Sequence, residues 1–194
     1  MTSLFRRSLA VTMLTTMLAA CGTVPMQKTY VLGDPPLSTT GVSSEANRPV
    51  IELKTVSVPD YLDSTDILRR TGPNQVTASP TGRWGERLSL GLTDALASAL
   101  SRRLPNLVVT TMPSTEPARR VFVDIERIDV DGAGQCLMTA RWRISGKDGH
   151  GTVASEHGTF DQAAASIDDP ALASAMTRLV DQLAEQVAAT IAAK

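Results

Sequence analysis

The sequence predicts an α+β domain: a mixed, mainly antiparallel sheet of five to six strands with two amphipathic helices packed on one face. Three observations carry that class. Two stretches, 88–104 and 172–191, repeat apolar residues at helical spacing. Several others alternate apolar with polar residues and are joined by turns rich in Gly and Asp. With 42% hydrophobic residues over 194 positions, the chain can fill one core but not two comfortably.

The elements follow in order. Residues 22–49 hold Pro25, Pro35, Pro36 and Pro49 among Ser, Thr and Gly, which suits a tether and loop pinned midway by a short strand at 29–32. Ile51, Leu53 and Val58 mark a strand over 50–58, ended by Pro59. Residues 66–70 and 75–78 flank Thr71-Gly72-Pro73-Asn74 and read as a short hairpin. After Trp84 the period changes: Leu88, Leu92, Ala95, Leu96, Ala99, Leu100 and Leu104 form one helical stripe, stopped by Pro105. A short strand is expected at 107–112. Three longer ones follow at 120–130, 135–145 and 152–160, antiparallel because Asp131-Gly132-Ala133-Gly134 and Lys147-Asp148-Gly149 are hairpin signals. In the middle strand Cys136, Met138, Ala140, Trp142 and Ile144 face the core, while Arg141 and Arg143 face water. The last element is a helix with Asp169 as N-cap and Pro170 at its first position. Its buried face is Leu172, Met176, Leu179, Val180, Leu183, Val187 and Ile191.

Ahead of this domain, Arg6 and Arg7 precede an apolar run from Leu9 to Leu18. That run falls short of the ~20 residues of a membrane span and has signal-peptide proportions. Leu18-Ala19-Ala20-Cys21 resembles the bacterial lipobox. The resemblance implies a signal peptide over 1–20, cleavage before Cys21, a diacylglycerol on its sulfur and an acylated amino group. Gly22, standing where an inner-membrane retention Asp would be, implies the outer membrane with the domain on its periplasmic face. The chain then divides into 1–20, lipoprotein signal peptide; 21–49, lipidated Cys, tether and loop; and 50–194, a single periplasmic α+β domain. If a strand begins at Tyr30, the free tether is Gly22–Thr29, eight residues reaching at most ~26–29 Å.

Composition and motifs exclude most chemistry. Nineteen Lys+Arg against twenty Asp+Glu give net −1, and removing Arg6 and Arg7 leaves 17 basic against 20 acidic residues, net −3. No nucleic-acid partner is expected of such a chain. Only Cys136 remains once Cys21 carries lipid, and its place in an alternating series makes it a core residue rather than a nucleophile. His150 sits in a Gly-flanked turn and His157 alternates with Ser155 and Thr159, neither with a paired nucleophile. Asp129 and Asp131 resemble the start of a calcium loop but lack its later ligands. Asp60, Asp63 and Asp66 read as a capped turn. No catalytic residue, metal site or cofactor is expected beyond the covalent lipid anchor on Cys21, and the chain reads as no enzyme.

Val56-Ser57-Val58-Pro59-Asp60-Tyr61-Leu62-Asp63, Ile67-Leu68-Arg69-Arg70 and Arg83-Trp84-Gly85-Glu86-Arg87-Leu88, with Tyr30-Val31-Leu32 and the lipobox, resemble one family. It is that of the ABC-type transport auxiliary lipoproteins, PqiC-like proteins. Relatives commonly carry Ala-Glu-Pro where this chain has Gly85-Glu86-Arg87. The resemblance implies a non-catalytic outer-membrane component of a system carrying lipids or other hydrophobic molecules across the envelope. Its partners are an MCE-domain periplasmic protein and the associated inner-membrane transporter, with a homo-oligomer left open. Tyr61, Leu62, Arg69 and Trp84 are the candidate partner-binding residues; the alternative is that they close one end of the core. A structural or regulatory outer-membrane lipoprotein binding a cell-wall or secretion assembly is the competing function. Direct lipid carriage needs a cavity, and the apolar positions suffice for a core alone.

Overall fold

The computed structural model describes residues 26–33, 48–147 and 151–193. Cys21, Gly22, the signal peptide and His150 lie outside the described residues. The order is β1 (Lys28–Tyr30), β2 (Val50–Leu53), β3 (Asp66–Gly72), β4 (Gln75–Trp84), α1 (Leu88–Arg103), β5 (Val108–Thr110), β6 (Arg119–Val130), β7 (Gln135–Ser145), β8 (Thr152–Ala163) and α2 (Asp169–Ala192).

The class is the predicted one, with two helices and mixed sheets, but the strands divide between two sheets. Five form a larger sheet in the order β5-β2-β6-β7-β8, and three form a smaller one in the order β1-β4-β3. In the larger sheet β2 runs parallel to both β5 and β6, and β6, β7 and β8 form an antiparallel meander. In the smaller sheet β3 and β4 make the hairpin and β1 lies parallel to β4, pairing Tyr30 with Trp84.

The break between the sheets follows from local hydrogen bonding. The strand expected to run to Val58 is regular only to Leu53. Lys54 and Ser57 still donate to the Val121 and Val123 carbonyls of β6, each at 2.9 Å, but the Val56 amide between them turns away to the Thr93 hydroxyl of α1 at 2.8 Å, leaving a single bridge from Ser57 to Asp124. The chain then turns through Pro59–Asp63 and starts a new sheet.

Both helices pack as their stripes dictate. Leu88, Leu92, Ala95, Leu96, Ala99 and Leu100 of α1 are buried, and so is every predicted stripe residue of α2. Cys136, Met138, Ala140, Trp142 and Ile144 of β7 are buried on the side that α2 covers, and the Trp142 indole N–H donates to Thr190 Oγ1 at 3.0 Å. Burying each such Leu, Val or Met contributes ~1.5–3 kcal/mol. One detail differs from expectation: Asp168, not Asp169, caps α2, its Oδ1 accepting from the Ala171 amide at 2.9 Å. Asp169 is turned into the protein instead. At the 131–134 turn Asp131 Oδ1 accepts from the amides of Ala133 and Gln135, and Gly134 takes φ +83°.

Candidate docking surface

The predicted surface residues occupy the junction of the small sheet with the first turns of both helices. Tyr61 lies on the 59–62 turn and stands half exposed, 50% of its surface open to water. Leu62 and Trp84 are buried, at 4% and 6%. They line an apolar gap with Ile67, Leu88, Leu172 and Met176. Its volume is about 30 Å³, against ~300–1,000 Å³ for a pocket that encloses a small molecule. It has no room for an acyl chain. Arg69 points toward α2 and donates to Asp169 Oδ1 at 2.6 Å. Of the four, then, Tyr61 presents its ring to water, Leu62 and Trp84 lie buried beneath that end, and Arg69 is engaged within the fold.

The partners of these residues were not visible in sequence. Asp169 is almost fully buried and accepts from Arg69, from Ser79 Oγ at 2.9 Å and from Thr81 Oγ1 at 2.6 Å. Burial opposes its ionisation, but the bonds from Thr81, Ser79 and Arg69 outweigh that and hold its pKa below the usual carboxylate value. Gly82 makes the approach feasible: a Cβ there would stand 2.6 Å from Asp169 Oδ2. Asp129 forms a second tie, accepting from Arg70 of β3 at 2.7 Å and from Arg127. It too is held below its usual pKa, since the bonds from Arg127 and Arg70 prevail over desolvation.

Asp63 forms the third. Its Oδ1 accepts from the Ser89 amide at 3.1 Å, and its other oxygen pairs with Arg87. It thereby satisfies the first turn of α1, whose own N-cap residue, Arg87, supplies no side-chain bond. Arg87 has φ −58°, a value proline also adopts. The departure from Ala-Glu-Pro therefore preserves the backbone and adds a guanidinium for Asp63.

The remaining candidates resolve simply. Cys136 is fully buried, and burial pushes its thiol pKa up to about 11, so it is no nucleophile at neutral pH. His157 and Arg141 share Glu126 on the open face of the larger sheet, at 3.3 and 2.8 Å. Among the described residues no group of three or more His, Cys, Asp or Glu could hold a metal ion, and no helix is long and apolar enough to cross a membrane.

Against known proteins, residues 30–188 match the model of the ABC-type transport auxiliary lipoprotein component family. The chain is 24% identical over 129 residues to the intermembrane transport lipoprotein PqiC of Escherichia coli K12, covering 66% of this chain and 68% of that one. The PqiC of Shigella flexneri matches equally. Two solved structures share the fold. An uncharacterized protein superposes with TM-score 0.72 at 17% identity, covering 86% of this chain and 99% of that one. Protein XCC0632 from Xanthomonas campestris gives 0.63 at 17% identity, covering 86% and 93%.

Proposed function

We propose that this chain, which belongs to the ABC-type transport auxiliary lipoprotein family, is the outer-membrane docking component of a trans-envelope system that moves lipids or other hydrophobic molecules. Members of that family are generally non-catalytic, and this one acts by binding. Its partner is a periplasmic MCE-domain protein linked to an inner-membrane ABC transporter, and its anchor is a lipid on Cys21. The observation that carries the reading is the family match over residues 30–188. Two features support docking rather than carriage: the gap beneath Trp84 is too small for a lipid tail, and the larger cleft of about 510 Å³ between Tyr30, Val31 and α2 is an open groove with Arg178 and Asp181 in its walls rather than an apolar enclosure.

Within the proposed surface Tyr61 makes the contact and Leu62, Arg69 and Trp84 hold it in place. The test is co-purification of the MCE-domain protein from envelopes. Tyr61→Ala is expected to weaken capture while folding and membrane targeting stay intact. Wild-type capture by a folded, correctly targeted variant places the contact elsewhere. Failure of the wild-type protein to capture any MCE-domain protein, with a cell-wall enzyme recovered instead, overturns the transport reading. Lipidation has its own test: Cys21→Ser is expected to abolish fatty-acid labelling and cleavage at this site, because the thiol is the attachment point. Label retained in that variant removes the anchor assignment.

A further inference from the structure

Eight large apolar side chains stand exposed among the described residues, and four of them, Met26, Val31, Tyr61 and Leu90, gather at one end of the domain. Val31 lies against Gly85, where an added Cβ would meet its Cγ2 at 3.3 Å, and the Gly85 amide donates to the Tyr30 carbonyl at 2.7 Å. Leu90 is on the first turn of α1, next to Gly91, which abuts Leu32. Tyr61 is two residues from Asp63, whose carboxylate holds that same turn. Met26, 91% exposed, and Val31, 69% exposed, bracket β1 itself.

Two cations flank them. Lys28 opens β1, the edge strand of the smaller sheet, and Arg83 sits beside Thr29 in the parallel register and opposite Asp66 in the antiparallel one; both are exposed, and neither forms an ion pair with a described residue. Asp63, the carboxylate holding the adjoining turn, is already neutralised by Arg87. This end is also where the chain arrives from its anchor. Six residues, Gly22–Gln27, separate Cys21 from β1, and fully extended they reach ~20–22 Å.

We infer that the β1 end of the domain is a membrane-contact face, with Met26 and Val31 entering the interface of a phospholipid bilayer and Lys28 and Arg83 on anionic headgroups. The short tether confines this face to within one domain diameter of the bilayer. Exposed apolar side chains there gain by leaving water, and Lys28 and Arg83, neither of them in an ion pair with a described residue, gain near a negative surface. The contact rests on the lipid anchor of the proposed function and deepens it. It fixes the domain's orientation, so that Tyr61 stands at the rim of the bilayer, where a partner crossing the periplasm arrives.

The test uses the full acylated protein reconstituted in vesicles of phosphatidylethanolamine with phosphatidylglycerol. Met26→Cys, Val31→Cys and, as a control on the outer strand of the larger sheet, Val153→Cys are labelled with an environment-sensitive fluorophore. Buried Cys136 does not compete for label, and the Cys21 sulfur is already substituted. Positions 26 and 31 are expected to shift to the blue, brighten several-fold over the detergent-solubilised state and be quenched by spin-labelled lipid, with position 153 unaltered. Replacing Lys28 and Arg83 together by Glu, or using phosphatidylcholine alone, is expected to reduce the quenching. Vesicle-bound protein whose positions 26 and 31 behave like position 153 overturns the membrane face while leaving the anchor intact. Protein without acyl mass on Cys21 overturns the anchor, and the face with it.

Discussion

The two sheets of this domain are held in place by different means. The larger sheet offers a dry face: Val121, Val123, Ile125, Ile128 and Val130 of β6, the alternate residues Cys136, Met138, Ala140, Trp142 and Ile144 of β7, and Ala154 and Phe160 of β8 are all buried. Area removed from water suffices to dock α2 there. The smaller sheet buries only two apolar side chains from its strands, Ile67 and Trp84. Its attachment depends on three carboxylates, Asp169, Asp129 and Asp63, each reaching between elements distant in sequence. A sheet too narrow to bury much apolar surface can be fixed in one place by directional polar contacts, which are geometrically exact and intolerant of loss. That intolerance gives the comparison its sharpest tests.

The largest effect is expected at Asp169. Asp169→Ala leaves Arg69, Ser79 and Thr81 without their acceptor and should cost ~3–5 kcal/mol, as for other broken buried pairs. Urea unfolding measures it, and a loss below ~1 kcal/mol would make the tie incidental. Acid should do the same work gradually. The folded pKa values of Asp169, Asp129 and Asp63 lie below their unfolded ones. Their stabilisation is therefore complete above an unfolded pKa of ~4 and lost as pH falls through the lower folded values. Asp169→Asn should flatten the acid limb of the stability profile. An unchanged slope would show that this carboxylate is not favoured in its ionised form by folding.

Leu183→Ala probes the other side of the comparison. Leu183 is 2% exposed on the α2 face that meets the larger sheet, and truncation there should cost ~2–5 kcal/mol with m unchanged. The two variants should also differ in kind. Native-state amide exchange in Leu183→Ala is expected to quicken across β6 and β7. In Asp169→Ala it is expected to quicken first in β3 and β4, as a subglobal opening. Equal acceleration in both sheets would show that the domain opens as one unit and erase the distinction.

This division also explains what could be read in the sequence. Period is local, so the stripes of α1 and α2 and the alternation of Cys136 to Ile144 were legible, and the core they define is the one observed. The class followed, together with every antiparallel connection. The hairpin and the short strand of the smaller sheet were legible too, but not their separation into a second sheet, because the ties that place it join residues far apart in sequence. Arg69 and Asp169 are 100 positions apart, and Arg70 and Asp129 are 59 apart. No window holds both partners. Asp168-Asp169-Pro170 shows the ambiguity at single-residue scale: both aspartates have capping chemistry, and the choice between them depends on where Arg69 arrives. Exposure had the same difficulty. Tyr61 and Leu62 are adjacent and both apolar, yet one faces water and the other the gap beneath Trp84.

Gly82→Ala should have a smaller effect than either of the first two variants, about 1–3 kcal/mol as an overpacked site. The new methyl would stand 2.6–2.9 Å from three atoms of Asp169, so that carboxylate must shift and its bonds to Ser79 and Thr81 lengthen. Combined with Asp169→Ala the cost should largely vanish, which a double-mutant cycle measures directly. Additive costs would mean that Gly82 is required by the backbone rather than by Asp169.

The smallest effect on stability is expected at Tyr61, and its smallness is the point. Its ring is half exposed on a turn whose backbone is fixed by other groups: Leu62 donates to the Pro59 carbonyl at 2.9 Å, and Leu88 to the Ser64 carbonyl at 3.1 Å. Neither of these bonds uses the aromatic side chain. Tyr61→Ala should therefore change unfolding free energy by no more than ~0.5 kcal/mol, as surface substitutions do. Trp84→Ala, one layer below, should cost ~3–5 kcal/mol as a buried aromatic truncation. A pair of residues in one region would then separate completely, one carrying the fold and the other free to carry the contact. Urea melts of the two variants beside partner capture read both quantities. If Tyr61→Ala destabilised the domain as Trp84→Ala does, Tyr61 would belong to the core, and no side chain of the proposed set would remain to meet a partner.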